Sequence, residues 1–137
     1  MSKFKLREQF ANTFETALEN AGMQSPYADG DLPKYWRGDV LNDPAAIFLN
    51  YSVSEPQDLE SADDKLFRQQ LFIDGKLFTR SGYGDSNFQD LAEEIEEECK
   101  KLNIFISWTG EGKYDDLDTE SPQFYVNFEA QIRLRNN

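Results

Sequence analysis

Apolar side chains recur at Leu6, Phe10, Phe14, Ala17, Leu18 and Ala21, and Glu8, Glu15 and Glu19 stand opposite them. That is the spacing of one helix face, and it predicts a helix over residues 4–21. Ser2 suits its start and Gly22 its end. Over residues 45–54 the period falls to two: Ile47, Leu49, Tyr51 and Val53 alternate with Phe48, Asn50, Ser52 and Ser54, which predicts a strand. A second strand is expected over 65–78, with Phe67, Leu71, Ile73 and Leu77 on one parity; Phe72 breaks the pattern, by partial cover of the other face or by a bulge. The connection 55–64, with Pro56 and several acids, reads as an exposed loop.

The period returns to helical over 86–102. Phe88, Leu91, Ala92, Ile95, Cys99 and Leu102 form one stripe; Glu93, Glu94 and Glu97 face away, and Glu96 and Glu98 flank the stripe. Ser86 and Gln89 have the spacing of a capping box, and Lys100 and Lys101 suit the C-terminal dipole. A short strand follows over 104–108, then an acidic loop over 110–121. The last strand, 123–135, puts Phe124, Val126, Phe128, Ala130, Ile132 and Leu134 on one face and Tyr125, Asn127, Glu129, Gln131, Arg133 and Arg135 on the other. The order is helix, strand, strand, helix, strand, strand. It predicts a single α+β domain over 1–137, with an antiparallel sheet of about four strands and two helices packed on one face.

Residues 23–43 have no clean period and carry Ser25-Pro26, Asp29-Gly30, Pro33, Gly38 and Asn42-Asp43-Pro44. A short strand can hide within 34–40. Irregular stretches of this length often carry contacts, so 23–43 is a candidate interaction arm. Within it Tyr35-Trp36-Arg37 unites three residue types enriched at binding hot spots; a flap folded onto the core is the competing reading.

Composition narrows the chemistry. The chain has 137 residues, enough to remove roughly 68% of its unfolded surface from water without staples. It has no histidine and one cysteine, which excludes Ser-His-Asp and Cys-His catalysis, an internal disulfide and His- or Cys₄-based zinc sites. No apolar run spans a bilayer, and the start lacks a signal-peptide apolar region, so a soluble protein of a reducing compartment is expected. The net charge of −12 disfavours nucleic-acid binding. It is also local: residues 85–137 hold 13 acidic and 5 basic residues, a net of −8, from the Glu93–Glu98 run and from Asp115, Asp116, Asp118 and Glu120.

The remaining motifs read mainly as structure. Asp116, Asp118 and Glu120 alternate like calcium ligands, but Ser121 and Asn127 stand where an EF-hand loop needs Gly and Glu, so a solvated loop is expected, and no metal or other cofactor. Arg37-Gly38-Asp39 is a turn, and Gly82-Tyr83-Gly84 lacks the Lys-Ser/Thr of a phosphate loop. Cys99 lies in an apolar stripe beside glutamates, a poor setting for a nucleophile. Arg133 and Arg135, at the end of the last strand, suit acidic groups of a neighbouring subunit or simply charge a sheet edge.

From about residue 46 onward the chain resembles the tail-completion (tail-terminator) proteins of long-tailed bacteriophages. The resemblance lies in an order of segments. Ile47-Phe48-Leu49-Asn50-Tyr51 is followed by a loop ending in Ala62-Asp63-Asp64-Lys65. Then comes Leu66-Phe67-Arg68-Gln69-Gln70-Leu71-Phe72-Ile73-Asp74, similar to the family's aromatic-Arg-x-x-aliphatic-x-aliphatic strand. The second helix leads into Asn103-Ile104-Phe105-Ile106, and Phe124-Tyr125-Val126-Asn127-Phe128 closes the domain. The resemblance covers about residues 46–135; the first 45 match less well, and the tyrosine-plus-basic pair of the last strand is half present, as Phe124-Tyr125. It implies helices on an antiparallel sheet. It also implies a structural virion protein, made in the bacterial cytoplasm, that forms a ring (commonly a hexamer) at the head–tail junction. Its partners are then other copies of itself, the tail-tube protein and the head connector, with neither membrane nor sequence-specific nucleic acid. No catalytic residue is carried over. A ring needs two different faces per subunit, and the expected interface residues are Tyr35, Trp36, Arg37, Asp115, Asp116, Asp118, Arg133 and Arg135. An acidic helix face lining the lumen would repel passing DNA. Two rivals remain: an acidic DNA-mimic inhibitor of a nuclease or restriction enzyme, and a small hydrolase using paired carboxylates.

Overall fold

The helical period of the first twenty positions is realised as α1 (Lys3–Asn20), whose Leu6, Phe10, Phe14, Ala17 and Leu18 are buried. The computed structural model describes residues 3–28, 32–38, 46–55, 57–60, 67–114 and 123–136. Helix α1 ends where expected. Gly22 has φ 102°, Met23 N–H bonds Leu18 O at 3.0 Å and Gly22 N–H bonds Glu19 O at 3.0 Å, a Schellman cap with Leu18 and Met23 both buried. The second helix, α2 (Ser86–Lys101), closes the same way. Asn103 takes φ 59°, and Ile104 N–H bonds Cys99 O at 2.9 Å.

Among the described residues six strands form one mixed sheet: β1 (Lys34–Arg37), β2 (Ile47–Val53), β3 (Gln57–Glu60), β4 (Phe67–Thr79), β5 (Phe105–Tyr114) and β6 (Gln123–Asn136). Their order is β1-β2-β4-β6-β5, with β3 beside the start of β4. All pairs are antiparallel except β1 with β2. Leu49, Tyr51 and Val53 of β2, Leu71, Ile73 and Leu77 of β4, and Phe128 and Ala130 of β6 share one face. They form one core with the apolar stripes of both helices. The α+β class, the two helices and their common core face are as the pattern predicts.

The sheet is larger than expected, mixed rather than wholly antiparallel, and covered in part on both faces. Strand β1 lies at the start of the 34–40 stretch and, with Met23 and Tyr35 buried, ties the described parts of the 23–43 arm into the body. Strand β3 lies inside 55–64, the stretch read as a loop. Four residues are too few for alternation to show. Strand β5 runs to Tyr114, five residues into the expected acidic loop. A register shift between Trp108 and Gly110 breaks its alternation, and Gly110 and Gly112 mimic loop composition. Phe72 marks no bulge, since β4 pairs β6 without interruption from Phe67 to Thr79. Away from the helices, Phe48 and Phe78 are fully buried and stacked, with centroids 4.5 Å apart. The cap of α2 is Asp85 rather than Ser86: its carboxylate accepts from Asn87 N–H at 2.8 Å. A hydrogen bond from Ser81, joined by that amide, holds the Asp85 carboxyl below its usual pKa.

One row of register partners crosses the whole five-strand path on the helix-covered face. Arg37 stands beside Tyr51, Tyr51 beside Gly75, Gly75 beside Phe128, and Phe128 beside Trp108. Gly75 is bare because the Phe128 ring fills its space: a methyl there would stand 2.6 Å from Phe128 Cζ and closer still to the carbonyl oxygen of Asn50. Phe14 of α1 lands on this row, edge-on to Tyr51 at 5.2 Å and tilted against Phe128 at 5.8 Å.

Two glycine substitutions separate conformational from steric constraint. Gly22→Ala, with open space around its Cβ but a left-handed φ, should cost about 1 kcal/mol. Gly75→Ala, which meets backbone and a buried ring, should cost about 2–3 kcal/mol. Urea denaturation of both variants gives the order; equal costs would contradict the packing described here.

Candidate protein-interaction surfaces

Strand β1 is one edge of the sheet, and its side chains alternate across it. Tyr35 and Arg37 share the helix-covered face with Leu49 and Tyr51; Lys34 and Trp36 take the other face. Tyr35 is buried, and its hydroxyl donates to Glu19 Oε1 at 2.7 Å. The Tyr51 hydroxyl donates to Glu15, one helical turn away. Arg37 is exposed and pairs with Glu8 at 2.8 Å, and Arg7 Nη2 donates to Val53 O at 2.9 Å. The polar flank of α1, expected to face water, therefore reaches back to the sheet: Glu8, Glu15 and Glu19 each hold a side chain of β1 or β2. Burial, then the bonded carboxylates, raise both tyrosine pKa values well above the ordinary phenol value.

The outer side of this edge is aromatic and its backbone is guarded. Trp36 is half-buried and meets Tyr27 edge-on at 6.3 Å; Tyr27 is 90% exposed and Leu32 55%. Tyr35 N–H donates to Gln24 O at 3.2 Å and Gln24 N–H donates to Pro33 O at 2.7 Å, so a short parallel bridge covers the strand. Over its first residues this edge is therefore closed to an added strand, and a partner would have to meet it through side chains.

Strand β5 is the opposite edge. Phe105 at its start is 64% exposed, on the face away from the helices. On the helix side, α2 and β5 enclose a groove of about 310 Å³. Trp108, Phe88, Ala92 and Val126 form its apolar floor, and Glu93, Glu96 and Glu111 its exposed acidic rim. Trp108 Nε1–H donates to Glu96, and the indole stands edge-on to Phe128 at 5.8 Å. The Tyr83 hydroxyl anchors one end on the carbonyl oxygens of Gly112 and, at 3.1 Å, Tyr125. Burial, then the charge of Glu111, raises its pKa. Sequence reasoning missed this groove. Tyr83 stands in the glycine-flanked turn into α2 and Glu111 in a stretch whose composition reads as loop; only the bulge after Trp108 puts Trp108 and Glu111 on one face.

A polar hollow of about 510 Å³ lies on the face away from the helices, lined by Asn50, Ser52, Asp74, Lys76, Thr109, Asn127 and Glu129 among others. Asp74 stands directly across from Glu129, and both are exposed. Cys99 is buried, and burial followed by the charges of Glu96 and Glu98 pushes its thiol up to about 12, which makes it unreactive. Among the described residues no group of three or more acids and cysteines could hold a metal ion, and no helix is long and apolar enough to cross a membrane.

The expected interface residues thus divide. Tyr35 is an internal strut; Trp36 and Arg37 lie at an accessible edge. Arg133 and Arg135, whose backbone alone is described, stand opposite Gln70 and Arg68 of β4, past the end of the β5 pairing. Asp115, Asp116 and Asp118 lie outside the described residues.

The two tyrosine–carboxylate bonds make stability fall in base. Above about pH 10 the unfolded chain ionises tyrosines that the fold keeps neutral, so the raised pKa values favour folding below that pH and the advantage is lost as pH rises further. Urea midpoints should drop from about pH 9 to about pH 11, and drop less in Tyr51→Phe; an unchanged slope would contradict the raised value. No protein-family model matches this sequence, and no curated protein does.

Proposed function

We propose that the chain is the subunit of a closed ring that terminates a bacteriophage tail tube and joins it to the head connector. The observation that carries the ring is the placement of exposed apolar side chains. Tyr27 and Leu32 flank β1, and Phe105 opens β5, at opposite ends of one sheet. Two unlike patches at opposite edges suit a head-to-tail contact, which closes into a ring when the rotation between subunits allows. The resemblance of residues 46–135 to tail-completion proteins supplies the tail context, the usual six subunits and the tube and connector as partners. In such a ring the helix layer faces the lumen, and the exposed acids Asp90, Glu93, Glu94 and Glu97 of α2 line it, where they repel DNA.

The same exposed row favours a second reading, an acidic decoy for a DNA-binding nuclease. That reading requires salt-sensitive inhibition of a basic nuclease and no dependence on the sheet edges.

The ring reading is tested by sedimentation and negative-stain imaging. The chain should form a closed oligomer. Tyr27→Glu and Phe105→Glu, both at exposed positions, should each abolish it. Mixed together, the two variants should stop at a dimer, because the pair retains one intact edge of each kind. A monomer at every concentration, or a ring indifferent to both substitutions, overturns the reading.

A further inference from the structure

The groove between α2 and β5 has an apolar aromatic floor and a rim of three carboxylates, with no basic residue among those lining it. Charge complementarity asks for a cation, and the indole asks for one that is planar and weakly hydrated. Arginine meets both requirements: it pairs with carboxylates through a flat fork and stacks on aromatic faces. The register row says where such an arginine stands. Trp108 ends the row at the β5 edge, and Arg37 ends it at the β1 edge, on the same helix-covered face. When two copies meet β1 edge to β5 edge with their sheets aligned, the Arg37 side chain of one arrives in the layer that holds the groove of the next.

We infer that Arg37 of one subunit docks in the α2–β5 groove of its neighbour, its guanidinium over Trp108 and paired with Glu111 and Glu96. This rests on the head-to-tail ring proposed above and names the contact that orients it. Glu8, the present partner of Arg37, does not prevent the docking. The two are joined at 2.8 Å with side chains 39% and 40% exposed, and water screens an exposed pair of that kind, so it is readily exchanged for another partner. Glu96 is already fixed as the acceptor of the Trp108 N–H, so the groove offers a pre-set carboxylate beside its ring. Lys113, farther along β5 on the same face, lies 5.9 Å over the Phe124 ring, at the Tyr83 end.

Charge reversal tests it on the full chain. Arg37→Glu and Glu111→Arg should each weaken assembly at least about tenfold in sedimentation, and the double variant carrying both should recover to within about threefold of the parent. Thermal melts of all three confirm that each subunit folds. As an independent measure, Arg37→Cys and Glu111→Cys together should give a ladder of disulfide-linked subunits on oxidation, to which buried Cys99 does not contribute. A ring that forms normally with Arg37→Glu, or singles that fail without rescue in the double, overturns the docking and leaves the ring standing. A parent chain that never assembles overturns both.

Discussion

Helix α1 can lie on this sheet because one position at the sheet's centre has no side chain. Gly75 gives its space to the ring of Phe128, which leans across β4, and Tyr51 closes the row from β2. Phe14, fully buried, settles on the two rings that flank the glycine. Any side chain at position 75 would push Phe128 up and lift Phe14 with it. Interiors packed to crystal density pass such a displacement on rather than absorb it. The seating of α1 then fixes the reach of Glu8, Glu15 and Glu19 to β1 and β2, so the β1 edge is held in place by the same glycine.

The row that seats the helix also relates the two edges. Inside the row the buried rings of Tyr51 and Phe128 flank Gly75, and its ends are Arg37, exposed, and Trp108, partly buried at the groove. A cation at one end and an acid-rimmed indole at the other make the subunit polar along the sheet. That is a property of register, because a slip of one residue in any pairing would send one end to the other face. The fold therefore ties its core packing to the chemistry of its two edges through one line of residues.

Much of this was legible in the alternation of side chains, where burial is one-sided. The stripes of α1 and α2 and the inward set of β6 come straight from period 3.6 and period 2. The illegible parts share a physical cause: pairing decides them, and pairing is non-local. Four residues of β3 carry no pattern of their own. The bulge in β5 reverses parity midway, hiding that Trp108 and Glu111 share a face. Phe48 and Phe78 look like errors of alternation until the second face is seen to be covered. The glutamates of α1 sit on the polar side of the wheel, yet Glu15 and Glu19 serve tyrosines whose register no single segment reveals. Tyr35-Trp36-Arg37, read as one motif, is split by strand alternation into a strut, an edge aromatic and an exposed cation paired with Glu8.

The way the edges are finished bears on what kind of assembly they permit. A bare edge strand invites further strands without limit, which leads to fibres rather than rings. Here β1 carries Pro33 at its entry and a bridge from Gln24 along its outer side, and β5 carries a register shift at its middle. Both devices discourage backbone pairing while leaving side chains of opposite character at the two ends of one row. In the proposed ring, association by such side chains would be confined to a particular angle, set by where a guanidinium meets its carboxylates and ring. A fixed angle between successive copies is the requirement for closure, whereas strand addition would fix only a spacing. In the proposed ring the protected backbone and the complementary row ends would act together: one would remove the open-ended mode of growth, and the other would supply a directional mode that can end on itself.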